Sequence, residues 1–136
     1  MMVADASALV KLVVNEVNSD IVLDKFKSET DAAEPIYVPD IALAEASNAL
    51  WKYSVLKKEL ADTDAALHDL FGLWHRLTIV KTEDVAVKAM KIAKESKIAF
   101  YDALYAAISI KENAPLLAFD GPLLEKAEKI GIKLAV

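Results

Sequence analysis

The stretch MVADASALVKLVVNE, residues 2–16, decides the fold, because it joins an apolar strand to a helix through a single acidic residue. Residues 2–6 read as a buried strand, and residues 7–16 space their apolar side chains with the helical period. The same order of strand and helix recurs three times along the chain, at 36–56, 77–96 and 116–130. Short apolar strands that alternate with longer helices are typical of a parallel sheet covered by helices.

The pattern therefore predicts an α/β fold: one domain over residues 1–136, with a short parallel sheet of four to five strands flanked by helices on both faces. A second core, a linker or an internal repeat is not indicated. The predicted strands are 2–6, 36–38, 77–80, 116–119 and 132–136. The predicted helices are 7–16, 18–33, 40–56, 62–75, 83–96 (capped by Thr82), 101–112 and 122–130. In such sheets, sites form beyond the carboxyl ends of the strands.

Composition narrows the function classes. The chain has 136 residues, 55% of them hydrophobic, which is enough for one core. Cysteine is absent, which excludes disulfides, thiolate zinc sites and a cysteine nucleophile. The first residues lack the features of a signal peptide, and no apolar run reaches the roughly 20 residues of a membrane span, so we expect a soluble cytoplasmic protein. A net charge of −5 argues against nucleic-acid binding through a broad basic surface.

Four acidic residues lie at strand ends or on helices: Asp5, Glu45, Asp102 and Asp120. Each also has a simpler structural interpretation, as a helix cap, a solvent-facing glutamate, a first-turn aspartate or a turn residue, respectively. Taken together, carboxylates without cysteine match the oxygen ligands that Mg²⁺ and Mn²⁺ prefer. Two such cations can activate water and stabilise the charge of phosphodiester cleavage.

At these residues the chain resembles the PIN-domain ribonucleases, especially the VapC-type toxins of bacterial and archaeal toxin–antitoxin pairs. The resemblance covers essentially the whole chain. It rests on four segments, DASALVKLV (5–13), PDIALAEASNAL (39–50), FYDALYAAIS (100–109) and LLAFDGPLLEKA (116–127). One departure is Ala118, where the family usually has Thr or Ser two residues before the last Asp.

The resemblance implies a metal-dependent endoribonuclease in which Asp5, Glu45, Asp102 and Asp120 are catalytic and bind Mg²⁺ or Mn²⁺. Under this hypothesis the first three hold the main cation and Asp120 helps to hold a second. It also implies a 5′-phosphate product, a homodimer and a protein antitoxin as partner. Six side chains on adjacent helices are candidates for core or for such an interface: Trp51, Tyr53, Leu56, Leu70, Phe71 and Trp74.

Three further residues are candidates for supporting roles. Ser7 and Asn48 match polar positions that the family often has beside its acidic residues. Lys11 lies close in sequence to Asp5 and is a candidate for binding a substrate phosphate.

Two other functions remain open. A phosphatase with Asp5 as nucleophile would expect another Asp two residues on, where this chain has Ser7. A non-catalytic PIN-like module that binds RNA or protein is compatible with Ala118 and with the acidic net charge.

Overall fold

The computed structural model describes residues 1–119 and 121–136. From the N-terminus its elements are β1 (Met2–Ala4), α1 (Ala6–Val13), α2 (Ser19–Asp31), β2 (Ile36–Pro39), α3 (Ala42–Trp51), a π-helical turn (Lys52–Leu56), α4 (Thr63–Trp74), β3 (Thr78–Val80), α5 (Thr82–Ser96), α6 (Phe100–Glu112), β4 (Leu116–Leu117) and α7 (Pro122–Ile130). These described elements form one α/β unit in which the helices surround a single sheet.

The sheet has the order β3-β2-β1-β4, and the neighbouring strands run parallel. This confirms the predicted α/β fold and parallel sheet. The prediction of a fifth strand over 132–136 is wrong: this segment makes only an isolated parallel bridge between Leu134 and Leu116. The backbone of Leu116 contributes both flanking hydrogen bonds, to Lys133 and Ala135. Because β4 is only two residues long, it offers too short an edge for a fifth strand to extend.

The order in which strands are added to the sheet reverses at β1. The chain moves from β1 to β2 on one side and later returns to β4 on the other. The crevice outside the carboxyl ends of two such strands is where parallel α/β sheets bind ligands. Asp5 follows β1 at this point, and its backbone N–H donates to the carbonyl oxygen of Leu117 at the end of β4 (3.2 Å).

The core is built from the sheet and the helix faces that cover it. Val3, Leu9, Val38 and Ile108 are fully buried. Leu23, which the helical pattern of 18–33 assigns to the core, is instead 58% exposed, because α2 turns Val22 and Phe26 inward. Across the part of the chain that is described, no helix combines the length and the apolar character that crossing a bilayer requires.

The prediction that Thr82 caps α5 is wrong. Thr82 is the first residue of α5, and the capping group is the carboxylate of Asp40, from 42 residues earlier. This carboxylate accepts hydrogen bonds from the Thr82 backbone N–H (3.0 Å) and from its hydroxyl (2.6 Å). Asp40 therefore does not begin α3 as expected; α3 begins at Ala42.

Replacing Asp40 with Ala is expected to lower the free energy of unfolding by about 1 kcal/mol at neutral pH, the usual cost of losing a helix cap. The hydrogen bond from Thr82 is the main reason that the pKa of Asp40 lies below its ordinary value of 3.8. A carboxyl group whose pKa is lower in the folded state stabilises the protein at any pH above its pKa in the unfolded chain. That contribution disappears as pH falls through the pKa of the folded state. The gap between wild type and Asp40→Ala should therefore close below about pH 4 in urea denaturation series.

The exposed Asp24→Ala on α2 is the control, since no hydrogen bond joins its side chain to another described residue. A gap for Asp40→Ala that stays constant down to pH 2.5 or so would contradict the capping role.

Candidate active site

A pocket of about 180 Å³ lies beyond the carboxyl ends of β1 and β4. Three carboxylates from distant segments line it: Asp5 after β1, Glu45 on α3 and Asp102 on α6. The other lining residues, among those that the structure describes, are Ala6, Ser7, Tyr105, Gly121, Pro122 and Leu123. The structure thus brings together three of the four predicted acidic residues at the point where a parallel sheet binds ligands.

Asp5 is both a helix cap and a lining residue of the pocket. Its Oδ1 accepts hydrogen bonds from the Ala8 backbone N–H at the start of α1 (2.9 Å) and from the Ser7 hydroxyl (2.6 Å). Because the cap, the hydroxyl and the β4 carbonyl all hold this residue, its carboxylate has a defined orientation. Ser7 donates to Asp5, and its supporting role at the site stays a prediction.

Glu45 points into the pocket and is half-buried rather than solvent-facing. Its Oε1 accepts a hydrogen bond of 2.6 Å from the hydroxyl of Tyr105 on α6. Burial raises the pKa of Glu45 above its ordinary value, the bond from Tyr105 acts in the opposite direction, and the neighbouring charge of Asp102 adds to the rise. A bound cation would favour the charged form of both neighbouring carboxylates and would relieve this repulsion.

Asp102 lies in the first turn of α6, whose N-terminus carries partial positive charge. Burial nevertheless raises the pKa of Asp102 above its ordinary value. The helix dipole therefore does not compensate fully for the loss of water. A partly buried carboxylate of this kind is stabilised further by a cation.

The other predicted site residues have different placements. Asp120 lies outside the described residues, while Gly121 and Pro122, which follow it in sequence, line the pocket. Asn48 is exposed on α3, and the described residues that line the pocket do not include it. The Lys11 ammonium is paired with Glu16 (2.9 Å) and lies 5.2 Å from the centre of the Phe119 ring. The roles proposed for these three residues stay predictions.

Tyr105 lines the pocket, although the sequence predicts no role for it there. The sequence offers no strong signal for it, because a tyrosine in the apolar segment FYDALYAAIS has the same pattern as a core residue. Burial raises its pKa, and the carboxylates of Glu45 and Asp5 raise it further. Tyr105 therefore remains a neutral phenol that donates a hydrogen bond at any physiological pH.

The carboxylates of the pocket suit a hard divalent cation that needs few protein ligands. Within residues 1–119 and 121–136, no three acidic or histidine side chains are grouped closely enough to hold a metal ion by themselves. Mg²⁺, however, usually keeps several waters and needs only one or two carboxylates together with substrate phosphates. Glu45 and Asp102, both partly desolvated, with the charge of Asp102 acting on Glu45, meet that smaller requirement.

Replacing Glu45 with Gln should stabilise the metal-free protein increasingly as pH rises. A raised folded pKa means that the folded state binds the proton more tightly than the unfolded chain does. The tighter proton binding contributes fully to the free energy of unfolding when pH lies below the ordinary pKa of 4.5. This contribution is lost as pH rises through the pKa of the folded state. Gln does not titrate, so the difference in unfolding free energy should shift in favour of the variant above this window.

Urea denaturation in EDTA, at intervals from about pH 4 to pH 8, measures this difference. Glu128→Gln, on an exposed position of α7, is the matched control. A difference that is flat with pH, or that shifts in favour of wild type, would show that Glu45 is not electrostatically strained.

Comparison with known proteins gives two findings. The sequence profile of the PIN domain family matches residues 2–129, from β1 into α7. The chain is also similar to the crystal structure of PAE2754 from Pyrobaculum aerophilum, at 25% sequence identity and a TM-score of 0.67, over 92% of this chain and 78% of that one. No curated protein matches the chain. The profile and the structural similarity together confirm the predicted single α/β domain.

Proposed function

The chain belongs to the PIN domain family, and from this premise we propose that it is a metal-dependent endoribonuclease, the toxin of a type II toxin–antitoxin pair. PIN domains are generally metal-dependent nucleases, and this chain has their fold. The proposal goes further in naming RNA as substrate, Mg²⁺ or Mn²⁺ as cofactor and a toxin as the biological role.

The observation that carries the proposal is the convergence of Asp5, Glu45 and Asp102 on one pocket. Neighbouring members of this set are separated by 40 and 57 positions in the chain. A protein that needed them only as caps or solvent-facing charges would not have to gather them. Grouping them removes water from at least Glu45 and Asp102. This desolvation costs free energy, which a bound cation would offset.

In the proposed mechanism, Glu45 and Asp102 would be the direct ligands of the main cation, Asp5 would complete the acidic pocket beside it, and Asp120 would help to hold a second cation. When bound, Mg²⁺ or Mn²⁺ activates a water for in-line attack and neutralises charge on the phosphate and on the departing oxygen. The protein's own contribution is to hold these carboxylates rigidly. Ser7 and the start of α1 orient Asp5.

The chemistry of the products follows from which bond breaks. Water adds its oxygen to phosphorus while the bond from phosphorus to the 3′-oxygen breaks. The products are a 5′-phosphate and a 3′-hydroxyl. No 2′-hydroxyl takes part, so a preference for RNA would come from the shape of the substrate and its contacts.

The test is incubation of a pool of structured and single-stranded RNAs with Mg²⁺, Mn²⁺ or EDTA, followed by sequencing of the new ends. A matched DNA pool is the substrate control. We expect metal-dependent cuts with 5′-phosphate ends in RNA, and none in EDTA. Ends that carry a 2′,3′-cyclic phosphate would contradict the mechanism, because they require attack by the 2′-hydroxyl.

The partners are a second part of the proposal, namely a second copy of the chain and a protein antitoxin. Support comes from the apolar side chains around the π-helical turn. Trp51 (48%), Leu56 (64%) and Phe71 (45%) are exposed, whereas Leu70 is fully buried in the core. The elements that carry these side chains pack together, α3 against both the π-helical turn and α4, and exposed apolar side chains on adjoining elements can form a protein contact. Sedimentation equilibrium of the purified chain tests the homodimer, and a monomer at micromolar concentration would contradict it.

A non-catalytic PIN-like module that binds RNA or protein remains the second candidate. The observation in its favour is that, within the described ranges, the acidic side chains do not by themselves form a metal-binding group of three. Binding of Mn²⁺ by the purified protein separates the two. If the protein neither binds Mn²⁺ nor cleaves RNA, the non-catalytic module is the function and the nuclease proposal is wrong.

A further inference from the structure

The buried Tyr105 and the half-buried Glu45 form a pair that links the two helices of the pocket. Tyr105 is 2% exposed, and its hydroxyl donates to Oε1 of Glu45, which is 60 residues away in the chain. The phenol lies on α6, one turn after Asp102, and the carboxylate lies on α3. A single hydrogen bond therefore fixes Glu45 relative to the helix that supplies the neighbouring carboxylate.

The bond is selective for one oxygen of the carboxylate. Oε1 is the acceptor, and among the described residues Oε2 accepts no hydrogen bond. A carboxylate that has one oxygen held by a donor rotates less, so its second oxygen can meet a cation in a fixed direction. Hydrogen bonds to ligating carboxylates are a general way in which proteins orient metal ligands.

We propose that Tyr105 is a positioning residue: its hydroxyl holds Oε1 of Glu45 so that Oε2 is presented to the divalent cation. This inference rests on the proposed nuclease function and gives a role at this site to a residue that the helical period places only on roughly the face of Asp102. Tyr105 acts through Glu45 and does not itself touch the cation or the RNA.

The ring and the hydroxyl of Tyr105 have separable roles. The ring is buried in the core with Leu104 and Ala106 on the same helix. Tyr105→Phe keeps the ring and removes only the hydroxyl, so the packing volume of the core is preserved. The matched control is Tyr37→Phe, because Tyr37 on β2 interacts with the carboxylate of Glu112 and does not line the pocket.

The experiment measures the dissociation constant of Mn²⁺ from the free-ion signal in electron paramagnetic resonance. We expect Tyr105→Phe to bind Mn²⁺ about 10- to 100-fold more weakly than wild type, the usual effect of removing a partner of a metal ligand. Tyr37→Phe should bind as wild type does. Unchanged affinity in Tyr105→Phe overturns the positioning role and leaves the nuclease proposal standing.

Cleavage at increasing Mn²⁺ distinguishes positioning from a structural role. If Tyr105 only orients a ligand, excess Mn²⁺ should restore the RNA cleavage rate of Tyr105→Phe to nearly that of wild type. A loss of rate that excess Mn²⁺ does not restore, or a variant that fails to fold by circular dichroism, overturns the proposal. Wild-type protein that binds no Mn²⁺ overturns the nuclease function as well, and this inference with it.

Discussion

Replacing Asp102 with Asn is expected to lower the rate of metal-dependent RNA cleavage by ~1,000-fold or more, because losing this carboxylate would weaken the hold on a cation that supplies several kcal/mol of charge stabilisation in the transition state. Asp102 is partly buried beside Glu45, and its charge contributes to the raised pKa of that residue. Asn keeps the shape of the side chain and removes both the charge and the desolvation cost. The variant should therefore fold at least as well as wild type when no metal is present.

The measurement is the initial rate of cleavage of a labelled RNA at saturating Mg²⁺, together with the thermal midpoint of each protein. Asp24→Asn on α2 makes the same chemical change on the exposed surface and should cleave at the wild-type rate. Full activity in a folded Asp102→Asn protein would remove this residue from the active site.

Replacing Ile108 with Ala is expected to lower the free energy of unfolding by about 2–5 kcal/mol, the range for large-to-small changes in a protein core. Ile108 is 0% exposed on α6. This helix packs against β1, β2 and β4, as well as against α5 and α7. Removing three methyl or methylene groups here leaves a cavity under the helix that carries Asp102 and Tyr105.

Urea denaturation at neutral pH measures the loss, and two variants calibrate it. Ile108→Val should lose only about 0.5–1.5 kcal/mol, because it removes one methylene group. Val87→Ala, at a position that is 89% exposed, should change the stability by no more than about 0.5 kcal/mol. Equal losses for Ile108→Ala and Val87→Ala would mean that α6 is not packed as described.

The sequence predicts the parallel sheet because its signal is local. Met2–Ala4 and Leu116–Leu117 are apolar runs, and each is followed by an acidic or turn residue and a helix. The fifth strand could not be excluded in this way. Residues 132–136 have the composition of a strand, but their pairing depends on the length of the neighbouring edge, which only the folded structure defines.

Contacts between distant residues account for the other differences. The cap on Thr82 comes from Asp40, and the partner of Glu45 is Tyr105, at separations of 42 and 60 residues. Neither pair has a spacing that indicates contact. The three described carboxylates were predictable because residue type and family resemblance both single them out, whereas a tyrosine in an apolar helix carries no such signal.

Ala118, two residues before the last of the four acidic positions, marks the clearest departure from the family pattern. It is buried, at 4% exposed, and follows β4. A hydroxyl at this position, as the family usually has, would need a hydrogen-bond partner there. Its absence removes a group that could orient a carboxylate or a water, while the carboxylates that line the pocket are retained.

The most direct test of the central claim is a crystal of the protein soaked in Mn²⁺ and measured for anomalous scattering. The account predicts a peak in the pocket, with carboxylate oxygens of Glu45 and Asp102 at about 2.0–2.3 Å, as expected for a small hard cation. Soaked Asp102→Asn crystals should show a weaker peak or none. A pocket without anomalous density in the wild-type protein, at millimolar Mn²⁺ and neutral pH, would contradict the assignment of these carboxylates as a metal-dependent nuclease centre.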